Sequence, residues 1–194
     1  MVWLESILII CGISFDIFAQ MECQGSLIAD IKKEQVIKIC LAVVAWQVAA
    51  LITGHFLASW FVRWKDIEGS ELLLGEIMSA VILIALGARQ FYESRMKYSF
   101  VEHREERLSV KKMLLLLGRV TFYTVLTGIA LAFTGAELSV IVVSVVIISI
   151  AAVMIGIYTG YNFGFEHREK AYVIGALILV VIGAENFVGT LISL

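Results

Sequence analysis

Six long apolar runs, at roughly 3 to 21, 37 to 61, 72 to 92, 113 to 133, 138 to 160 and 171 to 192, take up most of this 194-residue chain. The hydrocarbon core of a bilayer is about 30 Å thick and takes about 20 apolar residues per helix, so every run is long enough to cross it. The composition agrees: 60% hydrophobic and 16% charged residues is a balance that a water-soluble domain of this length does not reach. The longest polar interval, from about Ser94 to Lys112, is too short to bury a core of its own. The expected fold class is therefore an all-α integral membrane protein with six transmembrane helices, forming a single membrane domain over 1–194. Nothing in the chain suggests a soluble enzyme's constellation, a phosphate loop or a nucleic-acid surface, so the expected partners are the lipid bilayer and a small ion or solute. The first run lacks a basic flank and a small-x-small cleavage site, so it reads as a helix rather than a signal peptide. Cys11, Cys23 and Cys40 lie in or beside apolar runs and fit packing better than a disulfide framework or a zinc site.

Basic residues set the expected orientation. Lys32, Lys33 and Lys38 flank the first connection, Arg95, Lys97, Arg104, Arg107, Lys111 and Lys112 the third, and Arg168 and Lys170 the fifth. Only Arg63 and Lys65 stand on the other side, so the positive-inside rule turns both termini outward. Two pairs of short echoes suggest a duplication. Gly87-Ala88-Arg89-Gln90-Phe91 near the end of the third run matches Gly183-Ala184-Glu185-Asn186-Phe187 near the end of the sixth, and Ser14-Phe15-Asp16 matches Thr121-Phe122-Tyr123. Three helices per half invert the second half in the membrane, giving an inverted 3+3 repeat. Repeat one is expected at about 1–93, a cytoplasmic linker at about 94–112 and repeat two at about 113–194. Proline is absent, so any kink must come from glycine. Gly54-x-x-x-Ala58 and Gly156-x-x-x-Gly160-x-x-x-Gly164 have the spacing that lets helices approach closely, read here as ordinary packing.

Asp16 is the residue that an apolar run least tolerates. An ionised carboxylate at the centre of a bilayer costs about 2.5–3.5 kcal/mol on insertion scales, so by default it marks a functional site. A helical wheel places Gly12, Ala19, Gln20 and Cys23 on its face and Ser14 about 200° away, so Asp16 points toward other helices. Gln47 and Tyr123 lie near the midplane by their distance into runs two and four, and with Thr121 they are candidates to join Asp16 around an ion. Arg119 lies at nearly the depth of Asp16 and is its candidate charge partner, with snorkelling to the headgroups as the other reading. Secondary candidates are Gln20, the pair Arg89 and Glu93 (i,i+4, read as an interfacial ion pair), and Glu185 with Asn186 near the outer face. Glu76, one turn inside run three, is expected to reach the headgroups. His55, His103 and His167 have no metal-binding spacing.

These residues resemble a known family. Gly12-Ile-Ser14-Phe-Asp16-Ile-Phe-Ala19 is similar to the first-helix motif of the bacterial MntP-type manganese efflux pumps, Gly-x-Ser-x-Asp-x-Phe-Ala. The resemblance continues through Gly87-Ala88-Arg89 with Glu93, Gly128-Ile-Ala-Leu-Ala-Phe133, glycines 156, 160 and 164, and Lys170-Ala171 with Gly175 and Gly183. It implies six helices, outward termini, an inverted duplication and a place in the bacterial cytoplasmic membrane. It also implies export of a divalent cation, Mn2+, with Asp16 as metal ligand and no permanently bound cofactor. Three positions depart from the pattern: Tyr123 stands at the second intramembrane aspartate, Gln47 at a glutamate of the second helix, and Arg119 at a small uncharged residue. The expected function is a secondary transporter exporting a divalent cation by alternating access. The alternatives are a homologue with an amino-acid-like or anionic cargo, and a membrane scaffold or regulator in which Asp16 and Arg119 form a structural pair.

Overall fold

A computed structural model describes residues 2–28, 33–64, 71–96, 110–164 and 166–192, with the side chains of 2, 61–64, 71–73, 110–117, 119 and 120 outside that description. These residues form six helices: α1 (Val2–Ser26), α2 (Lys33–Trp64), α3 (Glu71–Arg95), α4 (Val110–Phe133), α5 (Leu138–Phe163) and α6 (Arg168–Ile192). Among the described residues five helices are long and apolar enough to cross a membrane, and the sixth, α4, is apolar over Thr121–Phe133. The chain is a multi-pass membrane protein. Its outer surface carries large apolar side chains, among them Leu41, Trp60, Phe122, Ile147 and Val181, as a lipid-facing surface requires. Most of the expected connector at 94–112 lies outside the described residues.

The helices end where the backbone can turn. Gly164 caps α5 at φ +73, its N–H donating to the Gly160 carbonyl, and Gly135 at φ +72 closes the short turn between α4 and α5. Gly164 is thus a stop signal, whereas Gly156 and Gly160 are packing positions. Each lies so close to α1 that a Cβ would strike the Phe18 or Glu22 carbonyl. Gly54 meets the Val125 carbonyl of α4 in the same way. Without a hydrophobic drive between helices in lipid, such backbone contact is what holds them together.

The packing is the same in both halves. α1 packs on α5 and α6, α4 packs on α2 and α3, and α2–α5 and α3–α6 pair across the middle. Exchanging α1–α3 for α4–α6 leaves this set of partners unchanged. Individual contacts follow. Gly156 lies against Phe18 and Met21, while Gly54 lies against Val125 and Gly128, the residues aligned with them when Phe15 is matched to Phe122. At the α3–α6 crossing, Gly87 meets Ala176 and Val180, and Gly183 meets Ala80 and Ile84, a reciprocal and antiparallel contact. The buried core holds a cluster drawn from all six helices around Ile9, Leu83, Leu131 and Leu179, an α1–α2–α5 cluster around Ile17, Val43 and Ile157, and a smaller α1–α6 cluster at Ala19, Ala171 and Tyr172.

Candidate functional site

Asp16 lies three-fifths of the way along α1, 1% exposed. Gly12 and Gly175 let α6 close over this stretch, where a Cβ on Gly175 would meet the Gly12 carbonyl and the Phe15 side chain. Gln90 ties α3 to α1 by donating from Nε2 to the Gly12 carbonyl at 3.1 Å. That crossing brings Arg89 onto Asp16: Nη1 donates to Oδ2 at 2.7 Å. Gln20, one turn further along α1, donates from Nε2 to Oδ1 at 3.2 Å. Both carboxylate oxygens are therefore engaged. A buried carboxylate survives in a low-dielectric interior only in such company.

Arg89 serves more than one partner. Its Nη2 stands 3.6 Å from Glu93 Oε1, the expected i,i+4 pair, and its Cζ lies 3.8 Å from the centre of the Tyr123 ring. Arg89 is thus held between Asp16 of α1 and Tyr123, the residue at the corresponding place in α4. The structure brings Asp16, Gln20, Arg89, Glu93 and Tyr123 together. In this cluster the cation on Asp16 is Arg89, whereas the side chain of Arg119 lies outside the described residues.

The other candidates lie elsewhere. Gln47 is buried and lines a separate cavity of about 10 Å3 with Ser14, Thr124 and Thr127, on the face of α1 that the wheel turns away from Asp16. That volume is near the minimum for one water molecule. Thr121 accepts a 2.7 Å hydrogen bond from Trp46 Nε1 on the exposed side of α2 and α4. Glu185 and Asn186 line a chamber at the opposite end of the bundle with Glu5, Glu76, Ser79 and Thr190. Glu76, expected at the headgroups, instead accepts from Thr190 Oγ1 at 3.0 Å in that chamber. Among the described residues, no three His, Cys, Asp or Glu side chains gather within reach of one metal ion.

Several polar residues were not evident from sequence patterns. Glu22, fully buried, accepts from the His167 backbone N–H at 3.0 Å and stands 3.4 Å from His167 Nδ1. Arg168 is buried at the start of α6, 5.2 Å from the Tyr172 ring, with its guanidinium 3.5 Å from the Glu93 carbonyl. Together with Arg89 and Glu93 they make the α3-end of the bundle an ionic layer. The available signal was the abrupt end of the apolar run before Glu22 and the bare Glu-His-Arg-Glu-Lys sequence opening α6.

The family model described as "Putative manganese efflux pump" matches residues 30–187. Relatives named as MntP pumps match nearly end to end. One from Campylobacter fetus subsp. fetus is 23% identical over 190 residues, covering 98% of this chain and all of the relative. Another from Clostridium botulinum strain Langeland is 25% identical over 193 residues, covering 94% and 92%, and one from Clostridium perfringens strain SM101 is 22% identical over 186 residues, covering 89% and 87%. These relatives are named as pumps rather than enzymes, and no solved structure matches the chain. A multi-pass bundle with bacterial relatives of this kind is a protein of the bacterial plasma membrane, and the chain belongs to the MntP family of manganese efflux pumps.

Proposed function

We propose that the protein is a secondary transporter that exports a divalent cation, Mn2+ in the first instance, by alternating access, with Asp16 as the carboxylate that meets the cargo. The observation that carries this reading is the environment of Asp16: buried at 1% exposure, it is neutralised by a guanidinium that has a second carboxylate within reach. Arg89 occupies the place that a cargo cation would take. On cation entry it can turn from Asp16 toward Glu93, so that neither the guanidinium nor the carboxylate is left alone in the membrane. Arg89 thereby acts as an internal counter-ion of the unloaded carrier. Gln20, bonded to the carboxylate, adds a neutral amide oxygen beside it, the donor type that hard cations such as Mn2+ favour. Manganese as the cargo is what the names of the family and relatives suggest.

The distribution of basic residues supports outward termini, which puts Asp16 in the cytoplasmic half and the Glu185 chamber on the outer side. The reciprocal, antiparallel crossing of α3 and α6 supports an inverted duplication about an axis between them. The Gln47 cavity lies along α1 between the two ends, a polar station on the way. Family membership favours this reading over an anionic cargo or a scaffold role. Mn2+ efflux from proteoliposomes tests it. Asp16→Asn, in protein that inserts and remains monodisperse, is expected to abolish efflux, and undiminished efflux by that variant would sink the proposal.

A further inference from the structure

At the end of the bundle where α1 and α3 begin and α4 and α6 end, Glu5, Glu76 and Glu185 line a chamber of about 400 Å3 with Ser79, Thr134 and Asn186. Among the described residues, no basic side chain lines it. Two carboxylates are held in place by neutral donors: Asn186 Nδ2 donates to Glu5 Oε1 and Thr190 Oγ1 to Glu76 Oε2. Such donors fix the carboxylates without cancelling their charge. Repulsion among the three is then relieved best by a multivalent cation.

A second feature points to a ligand independently of the acids. Ser79, one turn inward of Glu76 on α3, is fully buried, lines the chamber, and its hydroxyl has no hydrogen-bond partner among the described residues. Buried hydroxyls are nearly always satisfied, so this one is placed for something that enters the chamber. Size decides what that is. Among the described residues no three carboxylates gather around one bare ion, whereas a divalent ion with six waters, at about 30 Å3 per water, needs roughly 180 Å3. Hard divalent cations of the Mg2+ type give up their waters reluctantly and sit well among carboxylates and water.

We infer that this chamber is a second cation site, which takes a hydrated divalent cation through its water shell, with Glu5, Glu76 and Glu185 supplying charge and Ser79 Oγ accepting from or donating to a bound water. The site is separate from Asp16: eleven residues of α1 between Glu5 and Asp16 span roughly 16 Å. It stands on its own geometry, whatever Asp16 carries. A site that contacts the hydration shell discriminates poorly among ions of like charge, so Mg2+ competes with Mn2+ there.

Equilibrium dialysis of Mn2+ against the purified full-length protein in nanodiscs of zwitterionic lipid provides the test. The background is the charge-balanced double variant Asp16→Asn with Arg89→Gln, which removes the inner carboxylate from the measurement. Mn2+ is expected to remain bound there, to be displaced by excess Mg2+, and to bind at least tenfold more weakly when Glu76→Gln and Glu185→Gln are added. Should that combination not fold, Glu185→Gln alone serves in the wild-type protein, since Glu185 is exposed and its replacement leaves the packing intact; at least a threefold weakening of the Mg2+-sensitive binding is expected. Absence of Mg2+-sensitive Mn2+ binding, or binding unchanged by these substitutions, overturns the inference. Efflux by Asp16→Asn is a separate readout, so failure of the transport reading is distinguishable from failure of this one.

Discussion

Arg89 and Glu185 occupy corresponding places in the two halves, third in Gly87–Phe91 and third in Gly183–Phe187, yet they carry opposite charges. The α3 member is a cation bound to a buried aspartate, and its surroundings close over it. The α6 member is a carboxylate in a chamber that holds two more. The contacts of Gly54 and Gly156, and those of Gly87 and Gly183, repeat between the halves, whereas the titratable side chains do not. The backbone pattern therefore sets where the two ends of the bundle lie, and the side chains alone make one end self-neutralised and gather three carboxylates at the other.

The largest test of this contrast is to break each end. Asp16→Ala or Arg89→Ala leaves one buried charge without its partner and is expected to lower stability by about 3–5 kcal/mol, with most of the loss recovered in the double variant. Glu185→Ala should change stability by no more than about 0.5 kcal/mol. Denaturation in detergent measures all four, and equal losses at the two ends would erase the difference drawn here. Gly54→Ala and Gly156→Ala come next. Each forces a Cβ against a facing helix, for an expected loss of about 1–3 kcal/mol, and similar losses at both would support the equivalence of the α2–α4 and α1–α5 contacts.

Arg89→Lys preserves charge but gives up the planar fork and the stacking over Tyr123, at an expected loss of about 1 kcal/mol. In a double-mutant cycle, Tyr123→Leu should then weaken the wild-type protein more than the lysine variant. A smaller effect than at Arg89 is expected at Thr121→Val, which removes the Trp46 hydrogen bond at a loss of about 0.6 kcal/mol. Efflux that survives this change, measured in the same preparation, would place Thr121 off the transport path.

The helices were legible because a bilayer leaves no alternative for six apolar runs of that length. Asp16 was legible as an acid inside an apolar run, and the wheel placed Gln20 beside it and Ser14 on another face, as the contacts do. Its partner was not legible. Arg89 and Glu93 satisfy each other locally, and only the Gln90-to-Gly12 tie and the resulting crossing of α3 over α1 carry Arg89 to Asp16. Depth pointed to Gln47 and Tyr123, but depth says nothing about azimuth: Tyr123 reaches the cluster through Arg89, whereas Gln47 and the added candidate Thr121 face elsewhere. Glu76 reads singly as a headgroup residue near a helix start, and Glu5 belongs to no local pattern. They become a group only when α1, α3 and α6 pack together, which no local pattern encodes.

The contacts at Gly54, Gly128, Gly156 and Gly160 also bear on how such a chain can drift. Because these helices grip backbone to backbone, the lipid-facing residues need only stay apolar; valine, leucine, isoleucine or phenylalanine can replace one another there without disturbing an interior. Most letters of the chain are then exchangeable within a class, while a handful of glycines tolerate no side chain at all. A relative can share as little as 22–25% of its residues over nearly its whole length and still be built to one plan.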